Sequence, residues 1–503
     1  MMNFDINDFS LRILCENGVS DSKTEIIPCE KGFELYLSSA EDKPEFIELN
    51  WSAPADDNIF VLGDAWERSY GELEFRALED NDRYMPWYFI ATDKKTSFCF
   101  GVKTGCNSFV SFRYTKEGIT ALVDVRNGGS GVHLEGRRLL AATFIYEEYD
   151  SSDITEILHD FCKKMCPSPR LPKEKIYGGN NWYYAYGDSC YEQIISDARL
   201  QAKLSEGIEN PPFEVVDDCW SVNDTEGPWY PNEKFGDMKK LASEIKEMGV
   251  RPGIWLRPLH NKDEKITEDM RILRNGERLY LDPTHPDVQS YLRADIERIK
   301  EWGYELIKHD FSTVDLFGDY GSKLTATITN YKDWHFYDKT KTNAEIVLDF
   351  YNLLREASGE MLIIGCNTVS HLGAGIFELA RTGDDTSGRE WQRTPKYGVN
   401  TLAFRVSQNK AFYMVDADCV GIIEGKIPWE KNRQWLHLLS CSNTPLFVSC
   451  TDEIPEECKE DLRTAYKVFN REEPHEFEPL GIYETRIPTK WKIDGKIVEY
   501  DWK

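Results

Sequence analysis

Between residues 175 and 450 the chain repeats one pattern, in which a short apolar run ends in polar residues and a helix-like stretch follows. This alternation predicts parallel strands connected by helices. Because polar residues stand at the end of nearly every run, we expect a (β/α)8 barrel with its active site at the carboxyl ends of the strands. A doubly wound sheet would gather such residues at one crevice. The eight predicted strands are residues 176–182, 213–218, 251–255, 304–310, 361–366, 376–381, 411–415 and 445–448.

The regions on either side of this repeat have other patterns. Residues 1–150 contain short segments rich in β-branched and aromatic residues, separated by glycine-containing turns, which predicts an N-terminal β-sandwich. A helix-like stretch at 153–164 and the prolines after it predict a linker over 151–174. Residues 451–503 contain a helix-like segment and a hairpin with Asp494-Gly495 at its turn, so we predict a small C-terminal cap rich in β-strands. The chain is thus expected to be a multidomain α/β and β protein with a catalytic barrel at 175–450.

The charge and the cysteine content exclude several classes of protein. With 87 acidic and 60 basic residues among 503, the net charge is -27, which disfavours binding to nucleic acid or to an anionic membrane. Thirteen cysteines without clustered spacing predict free thiols in a reducing compartment. Cys162 and Cys166 have no second pair at ligand spacing, so we predict no metal site. The acids between Met1 and Asp8, and the lack of a run of about 20 apolar residues, predict a cytoplasmic protein.

Three of the predicted strand ends carry carboxylates. Asp310 ends an apolar run, and Lys308 lies two residues before it on the same face of the strand. Asp217 and Asp218 end a second run, and the segment Arg-Thr-Gly-Asp-Asp at 381–385 places further acids close to an arginine. Because the carboxyl ends of parallel strands meet at one face of a barrel, these side chains predict one carbohydrate-cleaving pocket.

Retaining hydrolysis of a glycoside requires one ionised carboxylate and one protonated carboxyl, roughly 5 Å apart. We expect Asp310 to be the nucleophile and Asp385 the proton donor. Lys308 would keep Asp310 ionised. Burial would raise the pKa of Asp385 and Arg381 would lower it, so the sign of the net shift stays open.

In these segments the chain resembles the α-galactosidases of glycoside hydrolase clan D, families 27 and 36. The matching motifs occur in the family's order and at comparable separations: Val-Asp-Asp-Cys-Trp at 216–220, Pro-Gly-Ile-Trp at 252–255, Lys-His-Asp at 308–310 and Arg-Thr-Gly-Asp-Asp at 381–385. The resemblance spans the region from about Asn181 to Asp385. It implies that Asp310 is the nucleophile and that Asp385, which ends the family's Arg-x-x-x-Asp pattern, is the acid/base, with Asp384 as the rival position.

The same resemblance implies a set of sugar contacts. These are Asp217 and Asp218 with the 4- and 6-hydroxyls, Lys308 with neighbouring hydroxyls, Trp182 and Trp255 at the pocket wall, Arg381 on the side of the 2-position, and Cys366 and Asn367 beside the 2-substituent. Family 36 usually continues with a glycine-rich stretch after the cysteine, whereas Thr-Val-Ser-His follows here at 368–371, which leaves the preference at the 2-position open. Asp416 and Asp418 fit either hydrogen bonding around the site or loop structure. His309 points away from its neighbours on the strand and is predicted to be a buried structural histidine.

The sequence therefore predicts a retaining exo-α-galactosidase that forms a covalent galactosyl-aspartate intermediate and needs no metal or organic cofactor. Its expected substrates are oligosaccharides or glycoconjugates with terminal α-galactose, and its 14 tryptophans suit the stacking of sugar rings. Within the same clan, an α-N-acetylgalactosaminidase and a galactosyl transglycosylase are alternatives. A non-catalytic carbohydrate-binding barrel is the alternative from another class.

Overall fold

The computed structural model describes residues 5–16, 21–53 and 58–503. Residues 1–4, part of the acidic start on which the expected absence of a secretory signal partly rests, lie outside the described residues. Among the helices that are described, none combines the length and the apolar character needed to cross a bilayer.

Two antiparallel sheets form the N-terminal region. One has five strands, in the spatial order Phe9–Cys15, Pro44–Trp51, Gly118–Asp124, Phe109–Thr115 and Met85–Pro86. The other has seven strands, in the order Lys23–Cys29, Gly32–Ser38, Leu139–Tyr149, Ser97–Val102, Tyr88–Thr92, Phe60–Gly63 and Arg76–Ala77.

Alternating side chains explain how the two sheets pack. Along Pro44–Trp51 the residues Ile47, Leu49 and Trp51 are buried and their neighbours are partly exposed, which is the period of two that a strand requires. The inward-facing aromatic rings meet between the sheets: Trp51 lies 5.1 Å from Phe100 of the other sheet. This arrangement fits the predicted β-sandwich.

A helix, Ile154–Met165, connects this region to the next one, as the sequence predicts. Asp153 caps it, because its side chain accepts a hydrogen bond from the backbone N–H of Glu156 at 3.0 Å. Its apolar face is buried.

The region that follows is built on a nine-stranded parallel sheet. Its spatial order is Met414–Asp416, Leu379–Arg381, Leu362–Gly365, Leu306–His309, Arg251–Leu256, Phe213–Val216, Tyr177–Asn180, Leu446–Ser449 and Val420–Gly421. All eight predicted strands are present, and six of them are shorter than predicted. The strands predicted at 176–182, 213–218 and 304–310 end before their last polar residues. The ninth strand, Val420–Gly421, has only two residues and was not predicted.

Helices follow most of these strands. The longer ones are Tyr191–Leu204, Met238–Glu247, Pro286–Trp302, Asn343–Ser358 and Trp429–Cys441, and the shorter ones are Trp182–Ala185, Ser312–Phe317, Ser370–Gly373 and Asn400–Arg405. Local chemistry sets their ends. Thr342 and Glu345 form a capping box at the start of Asn343–Ser358, and Gly303, with φ 95°, ends Pro286–Trp302. A small hairpin, Ser221–Asn223 with Glu226–Pro231, lies in the loop after Phe213–Val216.

The C-terminal region consists of the helix Glu456–Phe469 and a three-stranded antiparallel sheet, Phe477–Leu480, Lys490–Ile493 and Lys496–Glu499. The predicted hairpin is confirmed: Ile493 pairs with Lys496, and Asp494 and Gly495 have φ values of 48° and 74°. All 13 cysteines are free. His309 is buried among Phe350, Tyr351 and Phe377, as predicted.

Candidate active site

Asp310, the expected nucleophile, lies immediately after the strand Leu306–His309 and is buried. The indole Nε1 of Trp255 donates a hydrogen bond to its Oδ2 at 3.0 Å. Asn367 Nδ2 and the backbone N–H of Phe311 each donate to its Oδ1 at 2.7 Å. Trp255 lies in one of the two strands that flank Leu306–His309, and Asn367 follows the other, Leu362–Gly365, so the sheet brings these donors to the carboxylate. Three neutral donors therefore fix the orientation of Asp310.

Lys308 has a different partner from the one that its spacing suggests. Its Nζ donates to Oδ2 of Asp217 at 2.7 Å, whereas the charge of Asp310, the interaction predicted from the sequence, acts on it less strongly. The strand that precedes Asp217 is separated from Leu306–His309 by one strand, and inward-facing side chains of alternate strands meet inside a curled parallel sheet. Burial lowers the pKa of Lys308, but the charges of Asp217, Cys366 and Asp310 together outweigh it, so the net pKa is raised and the ammonium stays charged.

Two asparagines complete the surroundings of Asp217, and the sequence prediction missed both. Asn180 Nδ2 donates to Oδ2 of Asp217 at 2.7 Å. Asn181 Oδ1 accepts from its backbone N–H, also at 2.7 Å. Both asparagines follow the glycines of Tyr177–Asn180, and their position at a strand end was the signal that could have found them. They hold Asp217 in one orientation beside Lys308.

Asp218 is an acid of the candidate site whose pKa lies close to neutral pH. Burial, and then the negative charge of Asp217, raise its pKa to about 7. Its Oδ1 accepts a hydrogen bond from the backbone N–H of Cys219 at 2.6 Å. Near neutral pH this side chain can therefore donate or accept a hydrogen bond with a ligand hydroxyl.

Arg381 organises a second group of acids. Its Nε lies 3.2 Å from Oδ2 of Asp416, its Nη2 lies 2.5 Å from Oδ1 of Asp418, and its Nη1 lies 3.1 Å from Oδ1 of Asp385. Asp416 and Asp418, for which the sequence left two interpretations open, are thus partners of Arg381. Since all these groups are buried apart from Asp385, the guanidinium is held rigidly by two carboxylates and presents its remaining N–H to the third.

Arg68 is the functional side chain that the sequence prediction missed most completely. It belongs to the N-terminal region, yet its Nη1 lies 3.1 Å from Oδ1 of Asp385 and its Nη2 lies 2.9 Å from Oδ1 of Asp384. The residues around Arg68 form no local pattern that predicts a contact with Asp385, which lies 317 residues further along the chain. The candidate site therefore includes a residue from outside the parallel sheet.

The protonation of Asp385 follows from these neighbours. Burial raises its pKa, but Arg68 and then Arg381 and Lys308 lower it, and the cations prevail. The net shift of the Asp385 pKa, whose sign the sequence left open, is therefore downward. Asp385 is also the more accessible of the two rival acids: its side chain is 34% exposed, compared with 12% for Asp384, which lies between Arg68 and Arg393.

The remaining predicted residues lie around the same strand ends. Trp182 is half-buried, with its ring 5.1 Å from that of Tyr186, whose side chain is exposed. Cys366 is a buried thiol, and burial, followed by the charge of Asp310, raises its pKa well above the ordinary value. Asn367 has φ 50°, a left-handed conformation that asparagine tolerates. In the described part of the chain, no group of three or more His, Cys, Asp or Glu residues is arranged to hold a metal ion.

Comparison with known proteins places this architecture in a recognisable class. No protein-family model matches the chain. A probable α-galactosidase B of Aspergillus oryzae is 23% identical over 361 residues, which cover 65% of this chain and 74% of that protein. The α-galactosidase TtGalA from Thermus thermophilus, in complex with p-nitrophenyl α-D-galactopyranoside, superposes with a TM-score of 0.66 at 15% identity, over 99% of this chain and 98% of that one.

A family 36 α-galactosidase, AgaA from Geobacillus stearothermophilus in complex with stachyose, superposes with a TM-score of 0.62 at 15% identity, over 96% of this chain and 79% of that one. The chain thus has the fold of the family 36 α-galactosidases, in agreement with the clan D resemblance of its motifs.

Proposed function

We propose that the protein is a retaining exo-α-galactosidase, which removes terminal α-D-galactosyl residues from oligosaccharides or glycoconjugates. The observation that carries this proposal is geometric: Asp310 follows the strand Leu306–His309, and Asp385 lies 3.1 Å from Arg381 at the end of the strand Leu379–Arg381, which only one strand separates from Leu306–His309 in the parallel sheet. Carboxylates from two nearby strand ends suit two catalytic carboxyl groups around one anomeric carbon. The α-galactosidases of Aspergillus oryzae, Thermus thermophilus and Geobacillus stearothermophilus to which the chain is similar support the same activity.

We infer that the parallel sheet closes into a (β/α)8 barrel. Its two edge strands, Met414–Asp416 and Val420–Gly421, are separated in sequence by only three residues, which span at most about 14 Å. The edges of the sheet therefore lie near each other, which supports closure, and a closed sheet would gather all the strand ends around one opening. The strands of each sheet come from one part of the chain, which supports four segments: an N-terminal sandwich at 1–150, a linker at 151–174, the barrel at 175–450 and a cap at 451–503.

In the proposed mechanism Asp310 attacks the anomeric carbon and Asp385 gives its proton to the departing glycosidic oxygen. Asp385 then takes a proton from water, which attacks the same carbon, breaks the bond to Asp310 and restores both carboxyl groups. Trp255 and Asn367 hold the nucleophile in position through both steps. Arg68 and Arg381 favour the ionised form of Asp385 that the second step needs.

Recognition of galactose is assigned to the acids and the lysine on the other side of Asp310. Asp217 and Lys308 form a fixed ion pair with capacity left for hydroxyl groups, and Asp218 can change its protonation near neutral pH. Trp182, with its half-buried ring, offers an apolar surface for a sugar face. We further propose a reducing, cytoplasmic setting, supported by the 13 free thiols.

Hydrolysis of p-nitrophenyl α-D-galactopyranoside, measured beside the N-acetyl-α-galactosaminide, tests the activity. Faster cleavage of the galactoside is expected, whereas faster cleavage of the other substrate would identify an α-N-acetylgalactosaminidase. Product analysis at high acceptor concentration detects transglycosylation. Binding of galactose without cleavage of either substrate, and without labelling of Asp310 by a mechanism-based inactivator, would identify a binding protein instead.

A further inference from the structure

A segment of the N-terminal region is joined to the segment that carries the expected acid/base. The backbone N–H of Ser69 donates to the carbonyl of Thr382 at 2.8 Å, and the N–H of Asp384 donates to the carbonyl of Ser69 at 2.9 Å. Ser69 and Gly383 thereby form a parallel β-bridge. These backbone bonds do not involve the side chain of Arg68, so the two segments have an attachment that does not depend on it.

Arg68 uses this attachment to present two donors to the acids. One guanidinium bridges Asp384 and Asp385, at 2.9 and 3.1 Å, and only 9% of its side chain is exposed. Arg381 also contacts Asp385, but it shares its charge with Asp416 and Asp418. Arg68 is therefore the cation that contributes most to the electrostatic environment of Asp385, ahead of Arg381.

A further hydrogen bond, on Nε, holds the guanidinium of Arg68 in place. Arg68 Nε donates to the hydroxyl of Tyr70 at 3.4 Å, and that hydroxyl donates a short hydrogen bond to Glu67 Oε1. The same oxygen of Glu67 accepts from the backbone N–H of Gly321 at 2.7 Å. Glu67 is fully buried, so a chain of contacts runs from the loop at Gly321, through Glu67 and Tyr70, to Arg68.

We propose that Arg68 is a positioning residue for Asp385, and that it makes proton transfer at the glycosidic bond depend on the N-terminal region. This inference rests on the proposed function, because the same carboxyl must give a proton in one step and take one in the next. A bridging guanidinium fixes where the carboxylate points and stabilises its ionised form. The cations whose charges act on Asp385 are Arg68, Arg381, Lys308 and Arg393. The charge of Asp385 in turn acts on Asp418, Tyr183 and Tyr186.

The variant Arg68→Gln removes the charge and keeps a donor of similar shape. Because an opposite charge in contact lowers the pKa of a carboxyl, its loss raises that of Asp385, and the protein keeps its acid protonated to a higher pH. For an alkyl galactoside, whose departure needs a proton, the alkaline limb of the kcat/KM profile is expected to move up by about one pH unit. Misorientation of the carboxylate is expected to lower kcat/KM at the optimum by about 10- to 100-fold.

Three further variants separate positioning from general damage. Arg68→Lys restores the charge and is expected to return the alkaline limb towards that of the parent protein. Tyr70→Phe keeps the ring and removes the hydroxyl that holds Arg68, so a smaller shift in the same direction is expected. Arg126→Gln is the matched control: Arg126 is buried in the same region and pairs with Asp124 at 2.6 Å, and its loss is expected to leave the limb unmoved.

One outcome would reject the role of Arg68, and a separate outcome would reject the proposed function. An active parent protein, with the same alkaline limb in Arg68→Gln and in Tyr70→Phe, would reject the role of Arg68 and leave the proposed function standing. A parent protein that cleaves no α-galactoside would reject the function. In that case a ¹³C NMR titration of the Asp385 carboxyl, assigned with Asp385→Asn, still decides whether Arg68→Gln raises its pKa.

Discussion

The two expected catalytic carboxylates have opposite kinds of surroundings. Asp310 accepts hydrogen bonds from neutral N–H donors that lie in, or just after, its own strand and the two adjacent strands of the parallel sheet. Asp385 is bound by two guanidinium groups, and one of them, that of Arg68, comes from a different region of the chain. The donors to the expected nucleophile thus come from the parallel sheet and the residues that follow its strands, whereas one donor to the expected acid/base comes from the N-terminal region.

This difference matches the different demands on the two groups. A nucleophile needs one orientation, and uncharged donors supply it without neutralising the attacking carboxylate. An acid/base has to exchange a proton, and nearby cations bias that exchange towards the ionised form. Substitutions at the two carboxylates and at their donors test this difference, and the largest effect is expected at Asp310.

Asp310→Asn removes the attacking carboxylate and keeps the size of the side chain. We expect kcat for p-nitrophenyl α-D-galactopyranoside to fall on the order of 10⁴-fold or more, because no covalent intermediate can form. Thermal unfolding is expected to remain cooperative, since the amide can still accept hydrogen bonds. The exposed Asp333→Asn serves as the matched control, and near-normal turnover in Asp310→Asn would remove the nucleophile assignment.

Asp385→Ala tests the other carboxylate and also the choice between the two adjacent acids. Loss of the acid is expected to lower kcat/KM by about 10²- to 10⁴-fold for an alkyl galactoside and much less for an aryl galactoside with a good leaving group. Asp384→Ala is measured beside it and is expected to affect both substrates alike. If Asp384→Ala instead shows the dependence on leaving group, the acid/base is Asp384.

The contrast between the two carboxylates also explains what could be predicted from the sequence. The strands, their order along the chain and the position of Asp310 follow from local patterns, in which apolar runs end in polar residues. Arg68 could not be found in this way, because its contact with Asp385 arises when two regions pack together. The pairing of Lys308 with Asp217 was missed for a related reason: spacing along one strand does not reveal which side chains meet across the inside of a curled sheet.

Trp255→Phe tests how much one neutral donor contributes to the function of Asp310. The ring is kept, but the Nε1–H that donates to Asp310 is lost, and a hydrogen bond to a charged group contributes about 1.5–3 kcal/mol. We therefore expect kcat/KM to fall by about 10- to 150-fold. Trp491→Phe, at a buried tryptophan of the C-terminal sheet that donates to Pro488, controls for a general loss of stability. An unchanged kcat/KM in Trp255→Phe would mean that Asp310 needs no support from this donor.

Asp197 is a buried acid with no expected catalytic role, and its surroundings can be compared with those of Asp310 and Asp385. Asp197, on the helix Tyr191–Leu204, accepts hydrogen bonds from Tyr184 and Gln193 and lies close to the buried Glu214. Burial raises its pKa, and a carboxyl whose folded pKa is raised contributes stability below its unfolded pKa of about 4 that is lost as the pH rises. Neutral donors therefore do not offset the cost of ionising Asp197, in contrast to the cations around Asp385.

Asp197→Asn removes that cost, since an amide does not ionise. At pH 8 the variant is expected to melt about 2 °C above the parent protein, and below pH 4 the difference is expected to vanish or reverse. Thermal unfolding followed by circular dichroism across this range measures both limits, with the exposed helix position Asp349→Asn as the control. A gap that stays constant with pH would show that Asp197 ionises as readily in the folded chain as in the unfolded one, and that neutral hydrogen bonds in this fold are sufficient to hold a buried charge.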